Sequence, residues 1–205
     1  MTDPVTVPAE VVRLLREETG AGMMDCKRAL VESGGDVERA REILRTKGLA
    51  SVRKRVGRQA SEGVIDAYIL GEGRIGVLVE VNCETDFVAN TDEFRALVKD
   101  LALHIASPSA PRWLSRDDVP AATLEHERKI FEKQAIDAGK AENVIPRIVE
   151  AKLEAFFKDN VLLDQPFVKD DTKTIQSLLD EVGAKTGEKV AVRRFTRYRL
   201  GEDLE

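Results

Sequence analysis

The apolar positions of the first fifty residues repeat at intervals of three and four, which is the spacing of one helix face. Glycines interrupt the repeat at Gly20 and again at Gly34 and Gly35. Glycine is typical of the left-handed residue that ends a helix. The pattern therefore predicts a compact three-helix bundle over residues 1–55, with a domain boundary near Val56.

After this boundary the pattern changes to the β-branched and alternating runs of strands. Residues 64–70 and 74–81 form two such runs, and a glycine-bearing turn at 71–73 joins them. This arrangement predicts a β-hairpin. Residues 189–200 are also rich in β-branched and aromatic side chains. We expect them to add a third strand to the hairpin.

An amphipathic helix follows the hairpin. Its apolar face runs through residues 94–105, and Pro108 ends it. Two starting points are open. Asn90 and Glu93 resemble a capping box, while Thr85 could equally cap an earlier start.

The second half of the chain predicts further helices. Residues 120–160 are densely charged, with a narrow apolar face and a break at 138–140, which indicates an antiparallel helical hairpin. A loop at 164–166 and a helix over 173–182 follow. The predicted class is α+β: the bundle, then a helix-backed antiparallel sheet over residues 56–205, from which the helical hairpin protrudes.

Composition restricts the classes of protein that fit this layout. The 205 residues are 42% hydrophobic and 34% charged, and no apolar run could span a bilayer. The amino terminus resembles no secretory signal, so we expect the mature chain to start there. Cys26 and Cys83 lie far apart without metal-ligand spacing, which favours buried thiols in a reducing compartment such as the cytoplasm. The net charge of −5 gives no general attraction to nucleic acids or anionic membranes.

Motifs of catalysis and cofactor binding do not stand out. His104 and His126 have no zinc-ligand neighbours. The chain contains neither phosphate-binding glycine motif and no nucleophile elbow. We therefore expect no catalytic residues, no cofactor and no metal site.

Two basic clusters, at residues 53–58 and 193–199, raise the alternative of an RNA-facing surface. Alternating arginines on an antiparallel strand are more often its solvated face, and charged side chains protect sheet edges. With an acidic chain as a whole, we expect no nucleic-acid partner.

Two short segments have both a structural and a functional interpretation. Met23 and Met24 suit a bundle core, but adjacent helical residues point about 100° apart, so a unit this small should have difficulty burying both. Asp86 could simply favour a helix N-terminus while Phe87 packs inward. Alternatively, at least one methionine and the acid–aromatic pair contact a partner.

Four motifs occur in an order that resembles the elongation factor Ts family. They are TGAGMMDCKRAL at 19–30, GDVERA at 35–40, VNCETDFVAN at 81–90 and QPFV at 165–168. The resemblance implies a ubiquitin-associated-like bundle, an α/β core and a coiled-coil hairpin. It also implies a guanine-nucleotide exchange factor, whose partner is the GDP-bound GTPase elongation factor Tu.

The resemblance further implies a set of contact residues. Residues 85–88, here called the TDFV segment, comprise Thr85, Asp86, Phe87 and Val88. In the family, the aspartate and phenylalanine of this motif enter a groove of the GTPase near its magnesium and phosphate site. By the same carry-over, Leu15, Met23 and Met24 should contact a helix of the GTPase.

The chain contains one strand hairpin, one TDFV segment and no internal repeat, whereas longer family members have two core subdomains. We therefore expect a non-covalent homodimer that pairs through residues 189–200 and the apolar side of the first hairpin, and binds two GTPase molecules. Cys83 is not expected to bridge it. The alternative function is a peptide- or RNA-binding module without exchange activity.

Overall fold

The structure is a computed structural model that describes residues 7–55 and 57–203. The helices are α1 (Ala9–Thr19), α2 (Met23–Glu32), α3 (Val37–Arg53), α4 (Asp86–Ala89), α5 (Asp92–Ala106), α6 (Ala121–Asp137), α7 (Ile145–Asn160) and α8 (Ile175–Thr186). The strands are β1 (Glu62–Leu70), β2 (Ile75–Cys83), β3 (Pro166–Phe167), β4 (Asp170–Thr174) and β5 (Ala191–Arg199). The predicted α+β class is confirmed. In the described parts of the chain, no helix combines the length and the apolar character needed to cross a membrane.

Helices α1, α2 and α3 form the predicted amino-terminal bundle. Gly20 ends α1 with a φ of 67° and donates its N–H to the Arg16 carbonyl over 2.8 Å. The Asp36 carboxylate accepts the Arg39 N–H over 3.0 Å at the start of α3, as an N-cap does. All three helices supply the core: Val12, Leu15, Cys26, Ala29, Leu30, Ala40 and Leu44. The predicted likeness to a ubiquitin-associated bundle stays a prediction, and the predicted boundary near Val56 falls outside the described residues.

Strands β1, β2 and β5 form one antiparallel sheet in the order β1-β2-β5. Residues 71–73, which join β1 to β2, all have positive φ, as a tight turn of this kind requires. Side chains of β1 alternate between exposed and half-buried, whereas β2 buries Val77, Val79 and Val81. The predicted hairpin and its third strand are confirmed.

The segment after β2 contains two helices where the sequence predicted one. The Thr85 hydroxyl accepts the Val88 N–H over 3.4 Å and caps α4, while the Thr91 hydroxyl accepts the Phe94 N–H over 3.2 Å and caps α5. The predicted capping box at Asn90 is wrong. Asn90 ends α4, because its backbone and side-chain N–H groups both donate to the carbonyl of that helix's first residue. The alternative start at Thr85 is confirmed only in part, because Thr85 caps the separate helix α4, whereas the helix over residues 94–105 is capped by Thr91.

Helices α6 and α7 occupy the predicted helical region, separated at the predicted break. The chain leaves α6 through Gly139, which has a φ of 66°. Arg128 donates from Nη1 to Oε1 of Glu150 over 2.6 Å. The apolar residues that the two helices bury together are Ala135, Ile145, Val149 and Leu153. A coiled-coil geometry for the pair stays a prediction.

The predicted loop at 164–166 is partly wrong, because Pro166 begins strand β3, which pairs with β4 in a second small sheet. The sequence favoured a loop because the stretch is polar. Inside the protein, however, the polar side chain of Gln165 finds hydrogen-bond partners. The buried Gln165 side-chain amide donates to the carbonyls of Ser109 and Asp159, both over 2.8 Å.

Helix α8 begins two residues later than the predicted start at residue 173, because Lys173 and Thr174 belong to β4. The Thr174 hydroxyl accepts the Ser177 N–H over 3.2 Å. The helix also continues to Thr186, beyond the predicted end.

The described chain divides into two compact units. One contains the residues up to Gly63 together with Asn82–Asn90 and Leu179–Ala191. The other contains Val64–Val81, Thr91–Leu178 and the residues from Val192 onward. The TDFV segment and the end of α8 therefore belong to the same unit as the bundle.

Candidate partner-binding site

Helix α4 exposes the acid–aromatic pair on one side and is buried on the other. Asp86 and Phe87 are both exposed, and Phe87 is 80% exposed. The next residues, Val88 and Ala89, are each only 5% exposed. Asp86 lies in the first helical turn, where a carboxylate is favourable. The alternative in which Phe87 packs inward is wrong.

Hydrogen bonds donated to the Glu188 carboxylate hold the start of α4. Its Oε1 accepts the Thr85 hydroxyl proton over 2.6 Å. Its Oε2 accepts the backbone N–H groups of Glu84 and Thr85 over 3.0 and 3.1 Å. One carboxylate thus binds the two residues that precede Asp86.

Glu84 binds back to the loop that contains Glu188. Its Oε1 accepts the Lys189 N–H over 2.7 Å and lies 3.3 Å from Nη1 of Arg58. These contacts hold the pKa of the Glu84 carboxyl below its ordinary value. The hydrogen bond from the Lys189 N–H has the larger effect and the Arg58 guanidinium the smaller one. Glu84, Thr85, Glu188 and Lys189 are here called the Glu84–Glu188 network. Sequence analysis did not identify Glu84 or Glu188, since no periodicity connects positions more than 100 residues apart.

The bundle contributes two exposed methionines at the start of α2. Met23 is 45% and Met24 62% exposed, which confirms that the bundle cannot bury both. Leu15 is only 1% exposed and packs in the bundle core. All three lie in the same compact unit as the TDFV segment. Their contact with a partner stays a prediction.

Both cysteines are free and buried, as predicted. Burial, and secondarily the charge of Glu188, raises the pKa of the Cys83 thiol to about 11. Its Sγ–H donates to the Thr85 carbonyl over 3.2 Å. The thiol therefore stays protonated at neutral pH and is a poor nucleophile.

Several arginines of the basic clusters have partners within the protein. Nε of Arg194 lies 2.7 Å and Nε of Arg193 3.5 Å from the Glu80 carboxylate. Arg55 donates to the Gly183 carbonyl over 2.8 Å. These contacts fit the interpretation of a solvated, charge-balanced face, although the absence of a nucleic-acid partner stays a prediction. Over the described residues, no three His, Cys, Asp or Glu side chains come together as a metal site.

An exposed aromatic on an anchored helix, together with exposed methionines, is typical of a protein-binding surface. The family model for elongation factor Ts matches residues 11–202. The chain is 55% identical over 199 residues to elongation factor Ts of Thermoanaerobacter sp. (strain X514), with 97% of each chain covered. It is also 55% identical to the factor of Caldanaerobacter subterraneus subsp. tengcongensis, covering 97% of this chain and 99% of the relative.

A third relative, elongation factor Ts of Moorella thermoacetica, is 54% identical over 198 residues, with 97% of each chain covered. The chain therefore belongs to the elongation factor Ts family. Membership implies a role in translation elongation as a nucleotide exchange factor for elongation factor Tu, rather than as a catalytic enzyme.

Proposed function

We propose that the chain releases GDP from elongation factor Tu by inserting Asp86 and Phe87 beside the magnesium and phosphate site of the GTPase. The observation that supports this mechanism most strongly is the 80% exposure of Phe87 on a helix whose next two residues, Val88 and Ala89, are buried. Phe87 is therefore available as an anchor before the GTPase arrives.

The energetic basis is reciprocal coupling. A factor that prefers the nucleotide-free GTPase weakens nucleotide binding by the same factor as the nucleotide weakens its own binding. Burial of Phe87 in a pocket of the partner supplies about 2 kcal/mol as an anchor. The Asp86 carboxylate then perturbs polar groups that support Mg²⁺ and its oxygen ligands. Once the Mg²⁺ ion is held less tightly, the negative charges of the nucleotide phosphates are less well neutralised, and GDP binds more weakly.

The bundle supplies a second contact in this proposal. Met23 and Met24 project from α2 and adapt readily to an irregular partner surface. Leu15, which is only 1% exposed and packs in the core, contributes by supporting the bundle that presents them. We expect these contacts to contribute affinity more than exchange.

Measurement of GDP release tests the function directly. Fluorescent GDP is loaded on elongation factor Tu, and its release is followed by stopped-flow with and without the chain. We expect an acceleration of about tenfold or more, because coupling energies of 1–3 kcal/mol are typical. An unchanged rate would contradict the proposal. Capture of RNA or of many unrelated proteins from a lysate would instead support the binding-module alternative.

The finer features of assembly belong to the same proposal. Several apolar side chains of the three-stranded sheet are exposed and are here called the outer sheet face: Ile65 and Ile69 of β1, at 62% and 66%, with Leu78 of β2 and Tyr198 of β5. Pairing of two chains through this face would cover a surface that a soluble protein rarely leaves open. We propose a non-covalent homodimer, which binds one GTPase per chain. We further propose a coiled-coil geometry for α6–α7 and a cytoplasmic location, where translation takes place.

A further inference from the structure

Glu188 holds the residues immediately before the acid–aromatic pair. Its two carboxylate oxygens accept three hydrogen bonds, all from Glu84 and Thr85. Hydrogen bonds to an ionised carboxylate are shorter and stronger than those between neutral groups. The carboxylate thereby fixes both the backbone and the side chain of the residue that precedes Asp86.

The contact also decides which way the Thr85 hydroxyl points. A hydroxyl has one proton, and Thr85 gives it to Glu188 over 2.6 Å. Its oxygen lone pairs are then left for the Val88 N–H, which is the capping bond of α4. Without Glu188, the Thr85 hydroxyl could donate its proton to another acceptor. The rotamer that caps α4 would then be one of several that the side chain adopts.

Other contacts limit the motion that remains. Asn90 closes the far end of α4 by donating twice to the Asp86 carbonyl. Val88 is buried, so the inner side of the helix is held by packing. The orientation of Phe87 therefore depends on the anchoring of the segment at residues 84 and 85.

We propose that Glu188 is a positioning residue for nucleotide exchange, which holds Thr85 as the cap of α4 so that Asp86 and Phe87 meet the GTPase in one orientation. The inference rests on the proposed exchange function. It goes beyond that function because Glu188 lies in the loop between α8 and β5, in a part of the chain with no TDFV residue.

A merely structural role for Glu188 has a different kinetic signature. A variant that is only less stable loses active molecules, so more protein is needed for half-maximal GDP release while the plateau rate stays the same. A variant with a misplaced Phe87 still binds through the bundle, but the plateau rate itself falls. The plateau rate, measured apart from the concentration needed for half-maximal release, therefore separates the two roles.

The experiment compares Glu188→Ala, Glu188→Gln and the control Glu42→Gln, an exposed glutamate of α3. We expect the plateau rate of Glu188→Ala to fall about tenfold, since a misplaced Phe87 no longer fits the pocket that it fills on the GTPase. Glu188→Gln, which keeps one acceptor oxygen, should lie between Glu188→Ala and wild type. Glu42→Gln should match the wild-type chain.

Amide hydrogen exchange provides a readout that does not depend on the GTPase. In Glu188→Ala, the Glu84 and Thr85 N–H groups should lose protection while those of the bundle helices keep it. A plateau within about twofold of wild type overturns the inference, whatever happens to the half-saturating concentration.

Failure of the proposed function is recognised separately. If the wild-type chain does not accelerate GDP release, the exchange proposal fails and hydrogen exchange alone decides the geometric part. If the Thr85 N–H stays protected in Glu188→Ala, the proposed anchoring by Glu188 is wrong. If that protection is lost, the anchoring is supported.

Discussion

His104 donates its Nε2–H to the side-chain oxygen of Gln165 over 2.9 Å, inside the protein. The tautomer follows from the other ring nitrogen, because Nδ1 accepts the Val168 N–H over 3.2 Å. The Gln165 amide in turn donates to Ser109 and Asp159. Neutral His104 thus completes a network in which a second ring proton has no acceptor.

This network predicts a pH dependence of stability. Burial lowers the pKa of His104, against a smaller opposite effect of Gln165. As the pH falls below the ordinary histidine value of about 6.5, the unfolded chain therefore takes up a proton before the folded one does. The free energy of unfolding should decrease below that pH by at most about 1.4 kcal/mol per pH unit and be insensitive to His104 above it.

Urea denaturation between pH 5 and pH 8 on wild type, His104→Gln and His126→Gln measures the effect. His126 is the other of the two histidines and is exposed on α6, so it is the matched control. The His104 variant should lose part of the dependence and the His126 variant should keep it. Parallel curves for wild type and His104→Gln would be inconsistent with a buried neutral ring.

Replacement of Phe87 by alanine should reduce exchange while leaving the fold unchanged. The ring is in solvent, so its loss should change the free energy of unfolding by less than about 0.5 kcal/mol. Exchange stimulation should fall by up to about 30-fold, equivalent to an anchor of ~2 kcal/mol, and to the unstimulated rate where the wild-type acceleration is smaller than that. The measurement is fluorescent GDP release beside Ile136→Ala, a control that removes an exposed apolar side chain from α6. If Phe87→Ala stimulated GDP release as strongly as the wild-type chain does, the proposed mechanism would be wrong.

Replacement of Met23 or Met24 by alanine should weaken the complex more than it slows exchange. Each is exposed, so the loss is one of contact area with the partner, about fivefold in affinity for ~1 kcal/mol. Isothermal titration calorimetry with nucleotide-free elongation factor Tu measures it. Val31→Ala on the same helix is the control, since Val31 is also exposed. Unchanged affinity in both methionine variants would remove the bundle from the interface.

A charge on the outer sheet face should separate the proposed dimer. Ile69→Lys would bury an unpaired ammonium group in the interface, which is costly. Light scattering at micromolar concentration should show a dimer for wild type and for Ile136→Lys, but a monomer for Ile69→Lys. A reducing agent should change nothing, because Cys83 is buried. A monomeric wild-type chain would refute the dimer.

The elements with local signals were predicted well. The bundle helices follow from apolar spacing, and α1 ends at a glycine, Gly20, as predicted. The β1–β2 hairpin follows from alternation around the turn at 71–73. The exposure of at least one methionine also follows from geometry, since adjacent helical residues such as Met23 and Met24 point about 100° apart.

Features that depend on distant residues were not predicted. Gln165, directly before β3, is buried with hydrogen-bond partners from the loop after α5 and from α7. Glu188 is one of 37 acidic residues, and nothing in its local sequence marks it. The sequence also left open whether Phe87 points outward or inward. Which side of a short helix is buried depends on the elements that pack against it, and these come from elsewhere in the chain.

The bond between Thr85 and Glu188 joins positions 103 residues apart. Contacts of such sequence separation must overcome the entropy of closing a long loop before they contribute any stability, so they form late in folding. The helices of the bundle, by contrast, close over loops of a few residues. During refolding from denaturant, helical circular dichroism should therefore recover before the ability to release GDP. A newly made chain becomes competent only when its last helix and the loop that follows it have folded.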